Sequence, residues 1–365
     1  MTRAAIPGLE APDPVLEAEI RSRLNDVEAA LEKTVRADYE LLGEAASYIL
    51  TAGGKRFRPM LVLLAGHFGD PGDRRLVQGA VAIELTHVAT LYHDDVMDEA
   101  QFRHGVPSVN AKWDNSIAIL SGDFLFAKAS EISADLGAEV TRLLARTIAM
   151  VCDGQIRDVS TSGSLSQTED GYMETIRRKT AALIATSCRL GGMLSDAPAG
   201  HVDRLERFGE ALGMGFQLSD DIMDVISTED ELGKPPGQDL RQGVYTLPVL
   251  YALQDGRRGR ELAELLSGGP PQGELLDRAL RLVASDEPLG PARAAVTREV
   301  RRAREMAAGL PAGPANLSGD RDSSWAKGLF ARRQLTRPIE DLALGWATRQ
   351  QFGKLPAAAT VLERV

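Results

Sequence analysis

A short acidic pattern occurs twice in this 365-residue chain, as DDVMD at residues 94–98 and as DDIMD at residues 220–224. In each copy the first and last carboxylates are four residues apart, which places them on one face of a helix. Like charges at that spacing repel each other, and both copies follow apolar stretches in which an unpaired charge would be costly. The repeated pattern therefore predicts two facing helices with positive charge held between them.

Hard divalent cations are the simplest source of that positive charge. Mg²⁺ prefers carboxylate oxygens and keeps coordination positions for water and for substrate phosphates. A single acidic motif is usually a solvated helix face, but two copies inside apolar sequence are poorly explained in this way. The two motifs therefore predict a magnesium site that binds a diphosphate substrate.

The hydrophobic pattern of the remaining chain is helical. Apolar residues recur with the helical period in segment after segment, whereas no stretch alternates like a strand. Many long helices without an interrupting linker predict one large all-α domain over residues 15–315, flanked by a loose arm at 1–14 and an atypical segment at 316–365 with up to two further helices. The predicted helices are 15–34, 38–51, 57–68, 73–99, 116–134, 137–160, 170–192, 203–226, 246–254, 259–266, 273–284 and 290–309.

The charge balance and the lack of targeting patterns narrow the functional class. A net charge of −10 argues against a nucleic-acid-binding protein, although local cations can still bind phosphates. No apolar run reaches the length of a membrane span, and the first residues form no signal-peptide pattern. The two cysteines, Cys152 and Cys188, have neither disulfide nor metal-site spacing. These features predict a cytoplasmic protein.

Positively charged residues occur at three places that could contact a bound anion. The segment GGKRFRP at residues 53–59 combines three cations with two glycines and a helix start, although a capping loop with solvated charges would look the same. Arg103 and His104 follow the first acidic motif, and Lys234 lies in a turn-rich loop after the second. Each group is therefore a candidate diphosphate contact.

Other polar residues lie on the predicted helices that carry or face the motifs. His87 precedes the first motif by two turns on the same stripe, where a lone histidine is more often a satisfied core residue. Lys179 and Thr180 lie in an otherwise apolar stretch, where a lysine usually extends toward solvent. Gln217 precedes the second motif by three residues on the same helix face. His87 is therefore a predicted substrate contact, and Lys179, Thr180 and Gln217 are candidate residues of the same site.

Taken in order, these motifs resemble the trans-polyprenyl diphosphate synthase family, most closely its long-chain bacterial-type members. The resemblance implies a single helical bundle around a deep central cavity, usually in a homodimer. It also implies Mg²⁺-dependent head-to-tail condensation of isopentenyl diphosphate with an allylic diphosphate. The matching segments are GGKRFRP (53–59), ELTHVATLYHDDVMDEAQFRHG (84–105), GDFLFAKA (122–129), RKTA (178–181), FQLSDDIMD (216–224), GKPPGQD (233–239) and TLP (246–248).

The resemblance implies a role for each candidate residue. Carboxylates of both motifs would bind about three Mg²⁺ ions, with the principal ligands Asp94, Asp98 and Asp220, and with Asp95, Asp221 and Asp224 acting directly or through water. Isopentenyl diphosphate would be bound by Lys55, Arg58, His87 and His104. The allylic diphosphate would be bound by Arg103, Lys179 and Lys234. The developing allylic cation would face oxygen atoms of Thr180 and Gln217, which with Lys179 form the predicted catalytic set.

Two positions depart from the family pattern. Where the family often has a second arginine, this chain has His104, so that a permanent charge becomes titratable. Where the family commonly has a lysine before the TLP segment, this chain has Val244, which removes a cation near the allylic diphosphate. The segment from Asn316 onward does not resemble the closing helices of the family. The departures predict altered substrate binding with the metal ligands intact.

The residues before the first motif predict the product length. The family blocks chain growth with a bulky aromatic residue four or five positions before the first aspartate, where this chain has Thr90 and Ala89, with Thr86 and Ile83 a further turn away. One helical turn rises about 5.4 Å, roughly one extended isoprene unit, so an open floor over these residues predicts a product of about seven or more units. A farnesyl- or geranylgeranyl-length product is the alternative.

Two further functions stay open. A terpene cyclase uses the same metal chemistry, but it typically lacks the second-substrate site that Lys55, Arg58 and His87 predict, and its cavity is richer in aromatic residues. A non-catalytic subunit of a heteromeric synthase would be expected to lose acidic residues, whereas this chain keeps all six aspartates. The His104 and Val244 departures keep the subunit alternative open.

Overall fold

The computed structural model describes residues 14–54, 56–228 and 235–311. Two predicted substrate contacts, Lys55 and Lys234, lie outside these ranges, as do the C-terminal segment 316–365 and the N-terminal arm up to residue 13. Pro14, the last residue of the predicted arm, begins the first helix instead.

Helices make up most of the described chain and strands only four residues of it, which confirms the predicted all-α fold class. Every predicted helical segment coincides with an observed helix, with ends that differ by a few residues. The helices are α1 (Pro14–Thr34), α2 (Glu40–Ala52), α3 (Phe57–Gly66), α4 (Arg75–Met97), α5 (Val109–Lys112), α6 (Asn115–Leu136), α7 (Ala138–Thr161), α8 (Glu169–Ile176), α9 (Ala182–Leu194), α10 (Ala199–Ile226), α11 (Gln238–Gln242), α12 (Leu247–Gln254), α13 (Gly256–Leu266), α14 (Glu274–Val283) and α15 (Asp286–Ala308).

Three kinds of local feature depart from the predicted pattern. Strands β1 (Phe102–Arg103) and β2 (Val106–Pro107) form a small antiparallel hairpin after the first acidic motif, where no strand is predicted. The short helices α5 and α11 also have no predicted counterpart. The segment predicted as one helix over 170–192 is divided, because a π-helical turn over Arg177–Ala181 joins α8 to α9.

Polar side chains fix the starts of several helices. Asp114 accepts a hydrogen bond from the backbone N–H of Ile117 at 2.9 Å and so caps α6. Thr168 caps α8 in the same way, through the N–H of Gly171 at 3.1 Å. Such caps satisfy N–H groups that have no partner inside the helix. They therefore set the residues at which α6 and α8 begin.

Two clusters of buried apolar side chains fill the bundle, and α10 contributes to both. The first cluster joins helices α1 to α7 with α9, α10 and α15, and includes Leu85 and Leu212. The second joins α8 and α10 to α15, and includes Leu218 and Leu250. The first acidic motif therefore ends a helix of the first cluster, and the second motif lies on the part of α10 that packs in the second. Within the described ranges, no helix has the length and apolar character needed to cross a membrane.

Candidate active site

The first acidic motif occupies the last turn of α4 and is tied to the hairpin that follows. The hairpin turns at His104 and Gly105, whose φ values of 51° and 79° are positive, and so brings Arg103 back to the helix. Arg103 donates Nε–H to Asp95 Oδ1 at 2.9 Å and makes a second contact to the same oxygen through Nη2. Asp95, which is 0% exposed, is therefore paired inside the protein.

The other two carboxylates of this motif keep contact with solvent. Burial raises the pKa of Asp94 to about 6; the Lys179 ammonium opposes this shift and the Asp98 carboxylate adds to it. Burial also raises the pKa of Asp98, against the opposing charges of Lys179 and Arg103. The raised pKa values show that the surroundings disfavour these negative charges, which a bound cation would neutralise.

The second motif lies in the last turns of α10, and neutral donors hold its middle aspartate. Tyr172 donates its hydroxyl hydrogen to Asp221 Oδ2 in a short hydrogen bond, and Gln217 Nε2 donates to Asp221 Oδ1 at 2.9 Å. Asp221 is 3% exposed. Burial raises its pKa well above the ordinary value, and the nearby Asp239 and Asp224 carboxylates raise it further. Asp221 therefore resembles Asp95 in burial but differs from it in the charge of its partners.

The loop after the second motif returns to the motif. The carbonyl oxygen of Asp224 accepts from the N–H of Gly237 at 2.8 Å, and Asp224 Oδ2 accepts from the N–H of Asp239 at 3.1 Å. Gly237 has a φ of 74°, a conformation that glycine adopts without strain. Asp220 lies half-buried at the start of the motif. The predicted contact Lys234 belongs to this loop but lies outside the described residues.

The π-helical turn places Lys179 and Thr180 between α7 and α10. A Cβ at position 154 of α7 would overlap the backbone nitrogen of Lys179, and a Cβ at position 213 of α10 would lie 2.6 Å from the Cα of Ala181. Glycine at both positions therefore lets the two helices approach the turn from opposite sides. A π turn contains an extra residue, which changes the direction in which its side chains point.

Each of these two residues has a partner within the protein. Lys179 Nζ donates to Asp158 Oδ2 of α7 at 2.6 Å. Thr180 Oγ1 donates to Gln217 Oε1 at 2.8 Å, while the amide nitrogen of Gln217 is bonded to Asp221. The oxygen that Gln217 was predicted to turn toward an allylic cation thus accepts from Thr180 in this structure. Thr180 keeps the acceptor lone pairs of its hydroxyl oxygen.

The GGKRFRP segment contains one arginine with a structural role. Arg56 adopts a left-handed backbone conformation with φ 47°, and its side chain is 7% exposed. Its guanidinium donates to Glu84 Oε1 at 3.1 Å, to the carbonyl oxygen of Leu50 at 2.7 Å, and to Glu28. Arg56 therefore binds groups of the protein itself, whereas the predicted diphosphate contacts of this segment are Lys55 and Arg58. Lys55 lies outside the described residues.

Arg58 differs from Arg56 in its hydrogen bonding. Its Nε is buried and makes no hydrogen bond within the described ranges. Burial lowers the pKa of Arg58 to about 10, although the Glu84 carboxylate opposes this shift. Burial, with Arg58 and His104 nearby, lowers the pKa of His87 well below its usual value. Burial and the Arg103 charge also lower the pKa of His104. The permanent charges of Arg58 and Arg103 thus lie near the neutral rings of His87 and His104. Together they form a set of donors that fits a diphosphate.

The residues predicted to set product length are packed more tightly than expected. Ala89 and Ile83 are 0% exposed and Thr86 is 1% exposed, so they do not face an open space here. Thr86 Oγ1 donates to the carbonyl oxygen of Ala82. Only Thr90 of the four is half-buried, and its hydroxyl donates to the carbonyl oxygen of His87. In this conformation these four residues do not form an open floor beneath the first motif, and the product length stays a prediction.

The donor chemistry of the two motifs fits a hard cation. The available atoms are carboxylate oxygens, and Asp95 Oδ2 is buried without a hydrogen-bond partner. Within the part of the chain that the structure describes, no three acidic, histidine or cysteine side chains are gathered closely enough to hold an ion unaided. Mg²⁺ commonly binds through one or two carboxylates together with substrate phosphates, which fits carboxylates placed on separate helices.

Two residues of the site have no counterpart among the sequence predictions. Tyr172 lies seven residues, or two turns, before Lys179, a spacing that places both on one face of an unbroken helix. Asp158 follows Gly154 by one turn of α7, toward the π turn. Only the tertiary contacts of these residues with Asp221 and Lys179 distinguish them from other polar residues on the helices.

Comparisons with known proteins find relatives that are named as prenyl diphosphate synthases. A family model described as polyprenyl synthetase matches residues 39–283. The chain is 50% identical over 232 residues to heptaprenyl diphosphate synthase component 2 of Geobacillus stearothermophilus, covering 63% of this chain and 72% of that one. It is 40% identical over 308 residues to nonaprenyl diphosphate synthase of Mycobacterium tuberculosis, covering 84% and 92%.

A solved structure shows the same fold. The geranylgeranyl pyrophosphate synthase of Corynebacterium glutamicum, complexed with calcium and isoprenyl diphosphate, superposes with a TM-score of 0.76. The two sequences are 37% identical, and the match covers 93% of this chain and 99% of the other. The relatives therefore include proteins named for long products and proteins named for short ones.

Proposed function

Given that the chain belongs to the polyprenyl synthetase family and is a prenyltransferase that forms prenyl diphosphates, we propose that it joins isopentenyl diphosphate head to tail, 1′-4, to an allylic diphosphate in a Mg²⁺-dependent reaction. The observation that carries the proposal is the arrangement of the two motifs. In each motif the middle aspartate is buried and bonded to the protein, whereas the first aspartate keeps exposed surface. A bound ion could therefore reach the first aspartate of each motif from the solvent side.

The residues around the motifs would act on the allylic diphosphate. Bound Mg²⁺ would neutralise the charge that develops on the diphosphate as the C1–O bond breaks. Arg103 and Lys179 add preorganised positive charge on the same side, together with Lys234 from the loop after the second motif. The bonding electron pair leaves with the diphosphate, and the oxygen of Thr180 would face the allylic cation that remains.

The second substrate would occupy the donors around Arg58. The diphosphate of isopentenyl diphosphate would be bound by the Arg58 guanidinium, the neutral rings of His87 and His104, and Lys55. The π electrons of its double bond then form the new bond to C1 of the allylic cation. A proton leaves the adjacent carbon to restore an alkene, and the released diphosphate is the proposed acceptor. Water must be excluded, because it would quench the cation.

We further propose a long product of about seven or more isoprene units. Small residues occupy the positions before the first motif, and relatives named heptaprenyl and nonaprenyl diphosphate synthase are among the most similar proteins. Because Ala89, Thr86 and Ile83 are packed, growth past them requires neighbouring side chains to move. Thr90 is the first partly exposed residue on that path, so Thr90→Phe should shorten the product, with Thr90→Ser as the control.

The proposed assembly is a homodimer. Within the described ranges, five of the ten exposed large apolar residues lie on α6 and α7: Ile119, Leu120, Met150, Ile156 and Val159. Relatives named as component 2 of a heptaprenyl synthase favour a heteromer as the alternative. Light scattering of the purified chain should give twice its mass of 39.3 kDa, and Ile156→Glu should lower that mass. A monomer that gains activity only when an exogenous partner is added would favour the heteromer.

The proposed location is the cytoplasm, with a product destined for the membrane. Both cysteines are free, Cys152 exposed and Cys188 buried, which is compatible with a reducing compartment.

One incubation tests the activity and the product length together. The purified chain is given Mg²⁺, labelled isopentenyl diphosphate and, separately, allylic primers of two, three and four units, and the dephosphorylated products are sized. Long products from the chain alone would support the proposal. Products that stop at four units would place the chain among the geranylgeranyl synthases, and a complete lack of condensation would favour a non-catalytic subunit.

A further inference from the structure

Asp158 lies outside both acidic motifs but contacts a residue of the site. It is on α7, three residues before the helix ends, and its Oδ2 accepts from Lys179 Nζ at 2.6 Å. The Asp158 side chain is 20% exposed and that of Lys179 is 32% exposed. The pair is thus shielded from bulk solvent on most sides, so it is stronger than a surface ion pair.

The local backbone is built to bring these two residues together. The π turn is closed by the backbone N–H of Ala182, which donates to the carbonyl oxygen of Arg177 five residues earlier. Gly154 lies one turn before Asp158, and its missing side chain allows the backbone of α7 to touch the π turn at Lys179. A regular helix with a larger residue at position 154 would move the ammonium away from Asp158.

The charges of this pair act on carboxylates of both motifs, which indicates that the pair lies near both. The Lys179 ammonium acts on both Asp94 and Asp98 of the first motif. The Asp158 carboxylate acts on Asp98 of the first motif and on Asp221 of the second. Asp158 is therefore a carboxylate shared by the surroundings of both motifs, on a helix that carries neither.

The position of Lys179 matters because it competes with metal ions. An ammonium without the Asp158 partner would be drawn to Asp94 and Asp98, the carboxylates that the proposed function assigns to Mg²⁺. Held by Asp158, the ammonium has one N–H donor engaged and two others that can donate to a bound anion. Changing a residue that orients the groups of a metal site from outside typically costs about 10- to 100-fold in metal affinity or activity.

We propose that Asp158 is a positioning residue that holds the Lys179 ammonium between the two acidic motifs, off the metal-binding carboxylates and facing the allylic diphosphate. The inference rests on the proposed function. It assigns Asp158 a role in metal and substrate affinity that operates through Lys179.

Asp158→Asn tests the proposal with a readout that does not require turnover. Calorimetry would measure Mg²⁺-dependent binding of an inert allylic thiolodiphosphate, and kinetics would measure the half-saturating Mg²⁺ concentration and the allylic KM. Asp158→Asn should raise the half-saturating Mg²⁺ concentration and weaken analogue binding about tenfold. Asp158→Glu, which restores a carboxylate, should recover most of the loss.

A double-mutant cycle separates action through Lys179 from other roles. In a Lys179→Met background, the added Asp158→Asn change should alter Mg²⁺ dependence and analogue binding by less than about twofold. Asp153→Asn is the matched control, because Asp153 is on the same helix and pairs with Arg157 and Arg178, 3.0 Å away in each case. It should leave both readouts at wild-type values.

The outcomes distinguish failure of this proposal from failure of the proposed function. A full Asp158→Asn effect that persists without Lys179 would make Asp158 a metal ligand in its own right and overturn the positioning role. Wild-type Mg²⁺ dependence in Asp158→Asn, or an equal loss in Asp153→Asn, would also overturn it. A wild-type protein that fails to bind the analogue with Mg²⁺ would overturn the proposed function itself.

Discussion

The two acidic motifs have nearly the same letters but different surroundings. The middle aspartate of the first, Asp95, is paired with the guanidinium of Arg103. The middle aspartate of the second, Asp221, accepts from the neutral side chains of Tyr172 and Gln217. Both motifs lie at the C-terminal ends of helices, where the helix dipole disfavours negative charge. Arg103 thus partly neutralises the negative charge of the first motif, whereas the second motif is held by hydrogen bonds from uncharged side chains.

This difference indicates separate structural tasks for the two copies. Arg103 and Lys179 give the first motif a framework of fixed charges. The second motif depends on hydrogen bonds that run from Thr180 through Gln217 and Asp221 to Tyr172. A repeated sequence motif therefore does not imply a repeated environment, and single substitutions can distinguish the two.

The largest expected effect comes from removing the first carboxylate of either motif. Asp94→Ala and Asp220→Ala should each lower kcat by about a thousandfold or more, because each removes a metal-facing oxygen that stabilises the departing diphosphate. Asp277→Ala, at an exposed position of α14, should retain wild-type turnover. Near-normal kcat in either motif variant would show that its motif is not needed for metal binding.

Replacing the middle aspartate should change stability far more in the first motif than in the second. Asp95→Asn leaves the Arg103 guanidinium without its anionic partner and should lower the free energy of unfolding by about 3 kcal/mol. Asp221→Asn removes a charge that burial already disfavours and should change it by less than about 1 kcal/mol. Urea unfolding of the metal-free proteins at pH 7.5 measures both. Equal losses would remove the proposed distinction between charged and neutral partners.

A pH series sharpens the comparison at the first motif. The pKa of Asp94 is about 6 in the folded protein, above the ordinary value of 3.8, so the folded state binds more protons between these values. The contribution of this group to stability therefore falls as pH rises from about 4 to 6. Metal-free Asp94→Asn should gain stability relative to wild type over that range, by roughly 1 kcal/mol after solvent screening. A constant difference across the series would contradict the raised pKa.

The smallest expected effect concerns the hairpin that follows the first motif. His104 has a lowered pKa and is neutral above pH 7, so His104→Arg should add a permanent charge to the isopentenyl diphosphate site. We expect KM for isopentenyl diphosphate to fall by about threefold to tenfold with kcat unchanged. Steady-state kinetics between pH 6 and 8.5 would check this, and an unchanged KM throughout would place His104 outside that site.

The helices, and the position of both acidic motifs on them, could be predicted from the sequence because both depend on local spacing. The metal-binding role of the aspartates stays a prediction. The hairpin at Phe102–Pro107 was missed because its strands are two residues long and their pairing depends on positive φ values at His104 and Gly105. The π turn was missed because Arg177–Ala181 has an ordinary helical composition, and its geometry depends on close approach of α7 and α10 at two glycines.

Side-chain partners were less predictable than helix positions. Arg56 and Arg58 are two residues apart in one basic segment, yet Glu28 and Glu84 bind the first and leave Nε of the second without a hydrogen bond. Likewise, the helix face of Ala89 follows from the sequence, but its packing against neighbouring helices does not. Contacts between residues distant in sequence decide these cases.

Counting bound metal tests most directly the claim that the two motifs form one site. Equilibrium dialysis would measure Mg²⁺ per chain, with and without an inert allylic thiolodiphosphate, for wild type, Asp94→Ala and Asp220→Ala. We predict that the wild type binds about three ions per chain only when the analogue is present, and that either substitution abolishes most of the ions and the analogue binding together. Unchanged analogue-dependent Mg²⁺ binding in either variant would contradict a shared site.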